Sequence, residues 1–375
     1  MESVVRLLAD LVAIPSMNPM GRGRAGKHYE EQALAEFIGS FLRRHDIDVQ
    51  TQEVAPGRPN VIGHIDAKAL QTLLLEAHLD TAQVEVMTIE PFDPRIRDGR
   101  LYGRGSCDTK GSLAAFLQGT VAVLATPQKL SFNIVLLFVS DEEYRFTGAQ
   151  HAVKCGLKAD FGIAGEPTRL AIVRAHKGVT RWRIITKGVA AHSAYPDRGR
   201  NAIYAMSKVV ARLEEHGNRL LTGERHPVLG TPTLSVGVIE GGQAVNVVPD
   251  RCWIEIDRRT LPGETAENAI ESVKAVLQDS PDLELEAPYL SVAGMEVAED
   301  TPIVQRLARS IKEIAGTAAI EAASYATDAG FYNSAGIPTV VFGPGDIAQA
   351  HTKEEYIELH QLHQAVDIVR RFLTT

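Results

Sequence analysis

The sequence predicts an α/β protein built around a mixed sheet and interrupted by an inserted α+β unit. Three observations lead there. In the first half, short apolar runs such as "TLLLEAH" and "NIVLLFV" alternate with helix-like segments, as buried strands with covered faces do. From residue 178 the texture changes to strict alternation, as in "GVTRWRIITKG", the signature of strands with one exposed face. After residue 291 the first texture returns. These shifts set the expected domains at 1–177 with 292–375, and 178–291 as the insert. A chain of 375 residues is also long for one core.

Taken in order, "MESVVRLLADLVAIPS" repeats apolar residues at helical spacing, and its early acid and internal charges are unlike a secretory signal. "EEQALAEFIGSFLRRH" is a second helix, "DVQTQEV", "NVIGHI" and "TLLLEAHLD" are strands, and "GSLAAFLQGTVAVLA" is a helix opened by Gly111. "SFNIVLLFVSDEE" and "FGIAGEPT" are strands that end in acids. In the insert, "NAIYAMSKVVARLEEH" and "TAENAIESVKAVLQDS" are helices. "TPTLSVGVIEGG", "AVNVVPDRCWIEIDRRTLPG" and "LELEAPY" are strands. The chain closes with a helix, the strand "IPTVVFGPG" and the helix "HQLHQAVDIVRRFL".

A net charge of -8 argues against a nucleic-acid partner, and no uncharged stretch is long enough to span a bilayer. Cys107, Cys155 and Cys252 are too few and too odd for a disulfide framework, which points to a reducing cytoplasm.

The chemistry gathers where apolar runs stop. "LLLEAHLD" ends in His78 and Asp80, two residues apart and so on one face of a strand. "GRGSCDTKG" places Asp108 in a Gly-rich turn without dinucleotide or P-loop spacing. "SDEE" carries Asp141, Glu142 and Glu143, "GEPT" carries Glu166, and "GPGDIAQAH" carries His351. Taken singly, these are a structural histidine, a turn residue, solvated loop acids and a surface histidine. Taken together, they stand at strand ends, where open α/β sheets bind ligands. Carboxylates crowded into one crevice repel unless they are protonated or bridged by cations. Two histidines and three carboxylates, one of them shared, suffice for two metals with three protein ligands each.

This order of motifs resembles the family of co-catalytic zinc amidohydrolases and carboxypeptidases that contains acetylornithine deacetylase, succinyl-diaminopimelate desuccinylase, aminoacylase and glutamate carboxypeptidase. The resemblance covers essentially the whole chain. It implies a zinc-exopeptidase-like catalytic domain and a ferredoxin-like insert that serves as lid or dimerisation domain. It implies His78 as a metal ligand supported by Asp80, Asp108 as the bridging ligand, and Glu166 on the His78 ion. Glu143 and His351 would hold the second ion, and Glu142 would be the general base. "AAHSAYPDRGRNAI" resembles the family's histidine segment, so His192 is expected near the reacting carbonyl, supplied by the partner of a homodimer. Asn246 in "AVNVVPD" and Arg259 in "IEIDRRTLPG" are expected to contact substrate, with Arg258 turned to the opposite strand face. Thr109 stands where many relatives carry a second acid. The expected cofactors are two divalent ions, zinc, with cobalt as the alternative. The expected partner is a small N-acyl amino acid, with no nucleic acid and no membrane. "GPGDIAQAH" resembles acetylornithine deacetylases, so N-acetylornithine leads, with Asp328 in "YATDAGFY" as a wall for its ammonium. A desuccinylase or a dipeptidase of the same family is the alternative.

Overall fold

The computed structural model describes residues 3–22, 26, 28–280 and 282–375, so Met1 and Glu2 of the first segment lie outside the described residues. Two compact units emerge, one comprising Met1–Arg174, Val297–Glu321 and Thr327–Thr375, the other Ala175–Glu296 and Ala322–Ala326.

The first unit begins with α1 (Val4–Ala13), whose Ser3 hydroxyl accepts the Arg6 N–H as an N-cap. Its Val4, Leu7, Leu8, Leu11 and Val12 form the buried stripe that the spacing predicts. Then come α2 (Gln32–Arg44), β1 (Asp48–Ala55), β2 (Arg58–Ile65) and β3 (Thr72–His78). A small hairpin of β4 (Arg95–Arg97) and β5 (Arg100–Tyr102) follows; strands of three residues carry no readable periodicity, and the sequence reading passes over them. Next is α3 (Lys110–Leu124), buried along nearly its whole length and therefore apolar on all sides. It starts one residue before the expected Gly111. The buried Lys110 ammonium donates to the carbonyls of Leu11 (2.9 Å) and Ile14 (2.7 Å), which tethers the end of α1. Burial pulls its pKa down to about 7. β6 (Asn133–Val139), α4 (Thr147–Lys154), β7 (Phe161–Ala164) and β8 (Ile172–His176) complete this stretch.

In the second unit, β9 (Gly178–Lys187), β10 (Ala191–His192), α5 (Ala202–Thr222), β11 (Thr233–Gly241), β12 (Val247–Val248) and β13 (Arg251–Thr260) follow in order. α6 (Ala266–Leu277), β14 (Leu283–Leu285), β15 (Leu290–Val292) and β16 (Met295–Glu296) complete it. β11, β13, β9 and β14 form an antiparallel sheet, with β15 also on β9. The alternation along β13 buries Cys252, Ile254 and Ile256 against Met206, Val209 and Leu213 of α5 and Val273 of α6.

The chain ends with α7 (Pro302–Ala315), β17 (Ile320–Ala323), α8 (Ala329–Ser334), β18 (Thr339–Val341), β19 (Tyr356–Glu358) and α9 (Leu359–Leu373). In the first unit the sheet runs β1-β2-β6-β3-β7-β18-β8. The pairs β6–β3, β3–β7 and β7–β18 are parallel, while the outer pairs are antiparallel, so the sheet is mixed. The carboxyl ends of β3, β6 and β7 therefore point the same way and open on one crevice.

Candidate metal centre

His78 is the last residue of β3, Glu142 and Glu143 follow β6, and Glu166 follows β7. The parallel pairing sets these three strand ends side by side. Asp108 enters from the loop before α3 and His351 from the loop after β18. Two groups result: His78, Glu142 and Glu166, and Asp108, Glu143 and His351, the potential ligand atoms within each lying no more than 4.8 Å apart.

Asp108 stands between them. Its Oδ1 is 3.1 Å from His78 Nε2 and its Oδ2 is 3.4 Å from His351 Nε2. Glu166 Oε1 is 3.9 Å from His78 Nε2, and Glu143 Oε2 is 3.0 Å from His351 Nε2. Burial followed by mutual repulsion raises the carboxyl pKa of Glu142 and Glu166 well above the usual range, and that of Glu143 less so. Burial also opposes ionisation of Asp108, but hydrogen bonds from His351 and His78 outweigh it and hold that carboxyl low. His351 is pushed up to about 10 by Asp108 and Glu143. His78 also rises, its burial outweighed by Asp108 and the surrounding acids. A pocket that raises the pKa of imidazoles and carboxyls together favours positive charge. Divalent cations supply that charge with neutral imidazoles and ionised carboxylates, and an all nitrogen and oxygen donor set suits zinc-like ions. The residues present thus fit two such ions.

Asp80 departs from expectation. His78 Nδ1 bonds to the Asp80 carbonyl at 2.8 Å, while the nearer Asp80 carboxylate oxygen is 3.8 Å away. The face argument fails because β3 stops at His78, so the period of two no longer governs Asp80. The carboxylate instead accepts the N–H groups of Glu142 (3.0 Å) and Glu143 (3.1 Å) and the Asn18 amide (2.8 Å). It orients the "SDEE" turn. Asp141 is no solvated loop acid: it is buried in the left-handed region (φ 69°) and takes hydrogen bonds from Asn18 (2.9 Å), Arg58 (2.8 Å) and Thr147 (2.7 Å). Arg58 is in turn paired with the buried Glu31, whose carboxyl burial raises to about 7 against the pull of Arg58. Thr109, in the place of a second acid, donates to the Gly165 carbonyl at 2.6 Å, just before Glu166.

Asp328 is not an open wall for a cationic side chain. It is 2 % exposed, and among the described residues no N–H or hydroxyl reaches either oxygen. The buried Glu76 carboxyl lies close to it, and burial pushes Asp328 up to about 7 and Glu76 well above the usual carboxylate range. The missed signal was an acid inside the apolar run "LLLEAH". Asn18, Glu31, Arg58, Arg104 and Glu355 were also passed over, because each acts through a partner distant in sequence.

In the second unit His192 is exposed, and its Nδ1 accepts the Ala194 N–H at 3.1 Å. Asn246 is exposed nearby, its carbonyl accepting the Ser193 N–H at 3.0 Å. Arg259 stands on β13 and bonds to Asp257 through Nε at 2.7 Å. Arg258 points the other way, as expected, and is buried against Glu264.

Comparison with known proteins accords with this geometry. Acetylornithine deacetylase of Myxococcus xanthus is 34% identical over 307 residues, covering 80% of this chain and 78% of the relative. That of Proteus mirabilis (strain HI4320) is 31% identical over 367 residues, covering 95% and 92%. Among solved structures, an M20 family metallo-carboxypeptidase from Sulfolobus solfataricus superposes with a TM-score of 0.83 at 21% identity, covering 100% of this chain and 99% of the other. An aminopeptidase from Bacillus cereus gives 0.78 at 21% identity, covering 99% and 97%. The model of peptidase family M20/M25/M40 matches residues 74–375, and on that match the chain belongs to this family, as a metal-dependent amidohydrolase.

Proposed function

We propose that the protein removes the acetyl group of N-acetylornithine, hydrolysing the amide to ornithine and acetate. The carrying observation is Asp108, one oxygen towards His78 and the other towards His351, with Glu142 beside the cluster. Relatives covered over most of their length and named acetylornithine deacetylase support the substrate. His78, Glu166, Asp108, Glu143 and His351 would hold two zinc ions, with cobalt as the alternative. When bound, the ions supply Lewis acidity to the acyl oxygen and make water acidic enough to attack near neutral pH.

The residues supply the rest. Glu142 takes a proton from the attacking water and returns one to the leaving amine, as base and then acid. Asp80 holds Glu142 in place through its backbone N–H. Arg259 and Asn246 orient the amino-acid carboxylate, Arg259 exchanging part of its contact with Asp257. The unpaired cysteines support a cytoplasmic setting, where the reaction serves arginine biosynthesis.

Specificity constants across a substrate panel test this reading, because discrimination is a difference in transition-state binding. N-acetylornithine exceeds N-acetylated apolar amino acids and N-succinyl-diaminopimelate by at least about tenfold, equivalent to roughly 1.4 kcal/mol. A succinyl substrate or a dipeptide leading by that margin would overturn the substrate and leave the hydrolytic site standing.

The active form is a homodimer assembled through the second unit, with His192 reaching the partner's site to hold the developing oxyanion. Support comes from exposed apolar side chains on the edge strand β11 (Val238, Ile239) and on α5 (Ile203, Tyr204). Mixing and exchanging subunits of His192→Ala and Glu142→Gln, each nearly inactive alone, restores activity. An active enzyme that sediments strictly as a monomer would exclude this arrangement.

A further inference from the structure

Glu355 is completely buried, and four donors converge on it. Its Oε1 accepts the N–H groups of Cys107 (2.9 Å) and Asp108 (3.0 Å). Its Oε2 accepts Arg104 Nη1 (2.7 Å) and the Gly105 N–H (3.0 Å). Burial raises its carboxyl pKa against the pull of Arg104, yet every contact is a donor, so the form held here is the carboxylate. Arg104 is itself buried and extends the contact, giving Nη2 to the Gln83 carbonyl at 2.8 Å, with the Thr352 carbonyl at 3.5 Å.

These bonds join two loops that share a task. One, residues 103–108, delivers Asp108. The other delivers His351, four residues before Glu355. It is tied to the first by the Gly103 N–H on the Glu355 carbonyl (3.0 Å) and to Thr88 through the Lys353 carbonyl (3.0 Å). His351 sits in the left-handed region (φ 58°), its side chain is 56% exposed, and its imidazole touches only Glu143 and Asp108 among the described residues. Packing does little to hold that ring, so its place depends on the loop. The other group is anchored differently. His78 lies within a paired strand, Glu142 hangs from Asp80, and the Gly165 N–H before Glu166 bonds to the Glu76 carbonyl at 2.7 Å. None of these anchors passes through Glu355.

We propose that the buried Arg104–Glu355 pair is a positioning clasp for Asp108 and His351, so that the ion of the Asp108, Glu143 and His351 group depends on it through two ligands and the His78 ion only through the shared Asp108. The inference rests on the two-ion reading above. Loss of an outer partner of a ligand commonly costs about 10–100-fold in metal affinity. Here that cost falls mainly on the ion of the His351 group.

The test is stepwise zinc binding. Full-length wild type, Glu355→Gln and Arg104→Lys are dialysed against graded free zinc, and zinc per chain is measured by elemental analysis. Cobalt absorption reports the ligand geometry, and the Tm of the metal-free protein reports the fold. The glutamine is isosteric but offers one acceptor oxygen where the carboxylate offers two. Glu355→Gln binds the ion of the His351 group at least tenfold more weakly and loses less affinity for the His78 ion, which the clasp reaches only through Asp108. Arg104→Lys keeps the charge but loses the two-way reach, and shows the same selective loss to a smaller degree. A purely structural pair gives a lower Tm with both ions held as in wild type, or released in parallel; either overturns the clasp. Should Glu355→Gln fail to fold, Arg104→Lys decides alone. Wild type binding fewer than two ions overturns the two-ion reading itself, and the clasp with it, whatever the variants do.

Discussion

Glu142→Gln leaves two ions bound per chain and lowers kcat on the order of 10²–10⁴-fold, the usual contribution of a positioned proton-transfer group. The substitution is isosteric, so the crowded pocket keeps its volume. The bond that fixes this turn survives, because Asp80 grips Glu142 through its backbone N–H rather than its side chain. Glu143 keeps its own N–H on Asp80 and its contact with His351. What changes is the ability to accept a proton. The residue also lies within ligand reach of His78 and Glu166, so a direct metal role is the competing account. Elemental analysis separates the two: a base variant retains its metal and loses turnover, whereas a ligand variant loses both. Turnover within a few fold of wild type would mean that another residue is the base.

The difference between Asp80 as expected and as found shows where sequence reasoning reaches its limit. An apolar run that ends on a histidine and an acid was legible, because burial of a strand is written in consecutive residues. So were the acids after β6 and β7, since a parallel sheet opens its ligand crevice at those ends. The partner of each polar group was not legible. Asp80 meets amides 62 and 63 residues away, and Asp108 is fixed by an acid 247 residues away. Local pattern carries no record of such pairings. Nor does it record that β6 lies between β2 and β3, which is what brings Glu142 next to His78. Asp328 was a candidate wall for the substrate ammonium because that cation calls for an acid, and only the fold shows Glu76 against it. The insert was the easier half. Its antiparallel strands expose one face, and β13 alternates buried and less buried residues over its whole length, separating Arg258 from Arg259.

Asp108→Ala loses both ions together. Each carboxylate oxygen faces a different imidazole, so one substitution removes a donor from each group at once. It also removes one negative charge from between two cations that would otherwise repel across the shared position. The loop that carries residue 108 has its own support: the backbone N–H groups of Gly105, Cys107 and residue 108 remain on Glu355. The loss is therefore one of affinity rather than of folding, and thermal unfolding of the metal-free variant stays close to that of the metal-free wild type. The affinity of both sites falls by more than the roughly 10–100-fold that removal of an outer partner costs, since here the ligand itself is gone. Elemental analysis after dialysis at a free zinc concentration that saturates wild type finds fewer than one ion per chain. One ion retained at wild-type affinity would make Asp108 a ligand of a single site, and full occupancy would remove it from the metal centre altogether. Asp108→Asn sharpens the comparison. It keeps one oxygen and the side-chain shape but loses the charge and the second acceptor, so it falls between alanine and wild type. That ordering follows only if both oxygens are used, one towards each histidine.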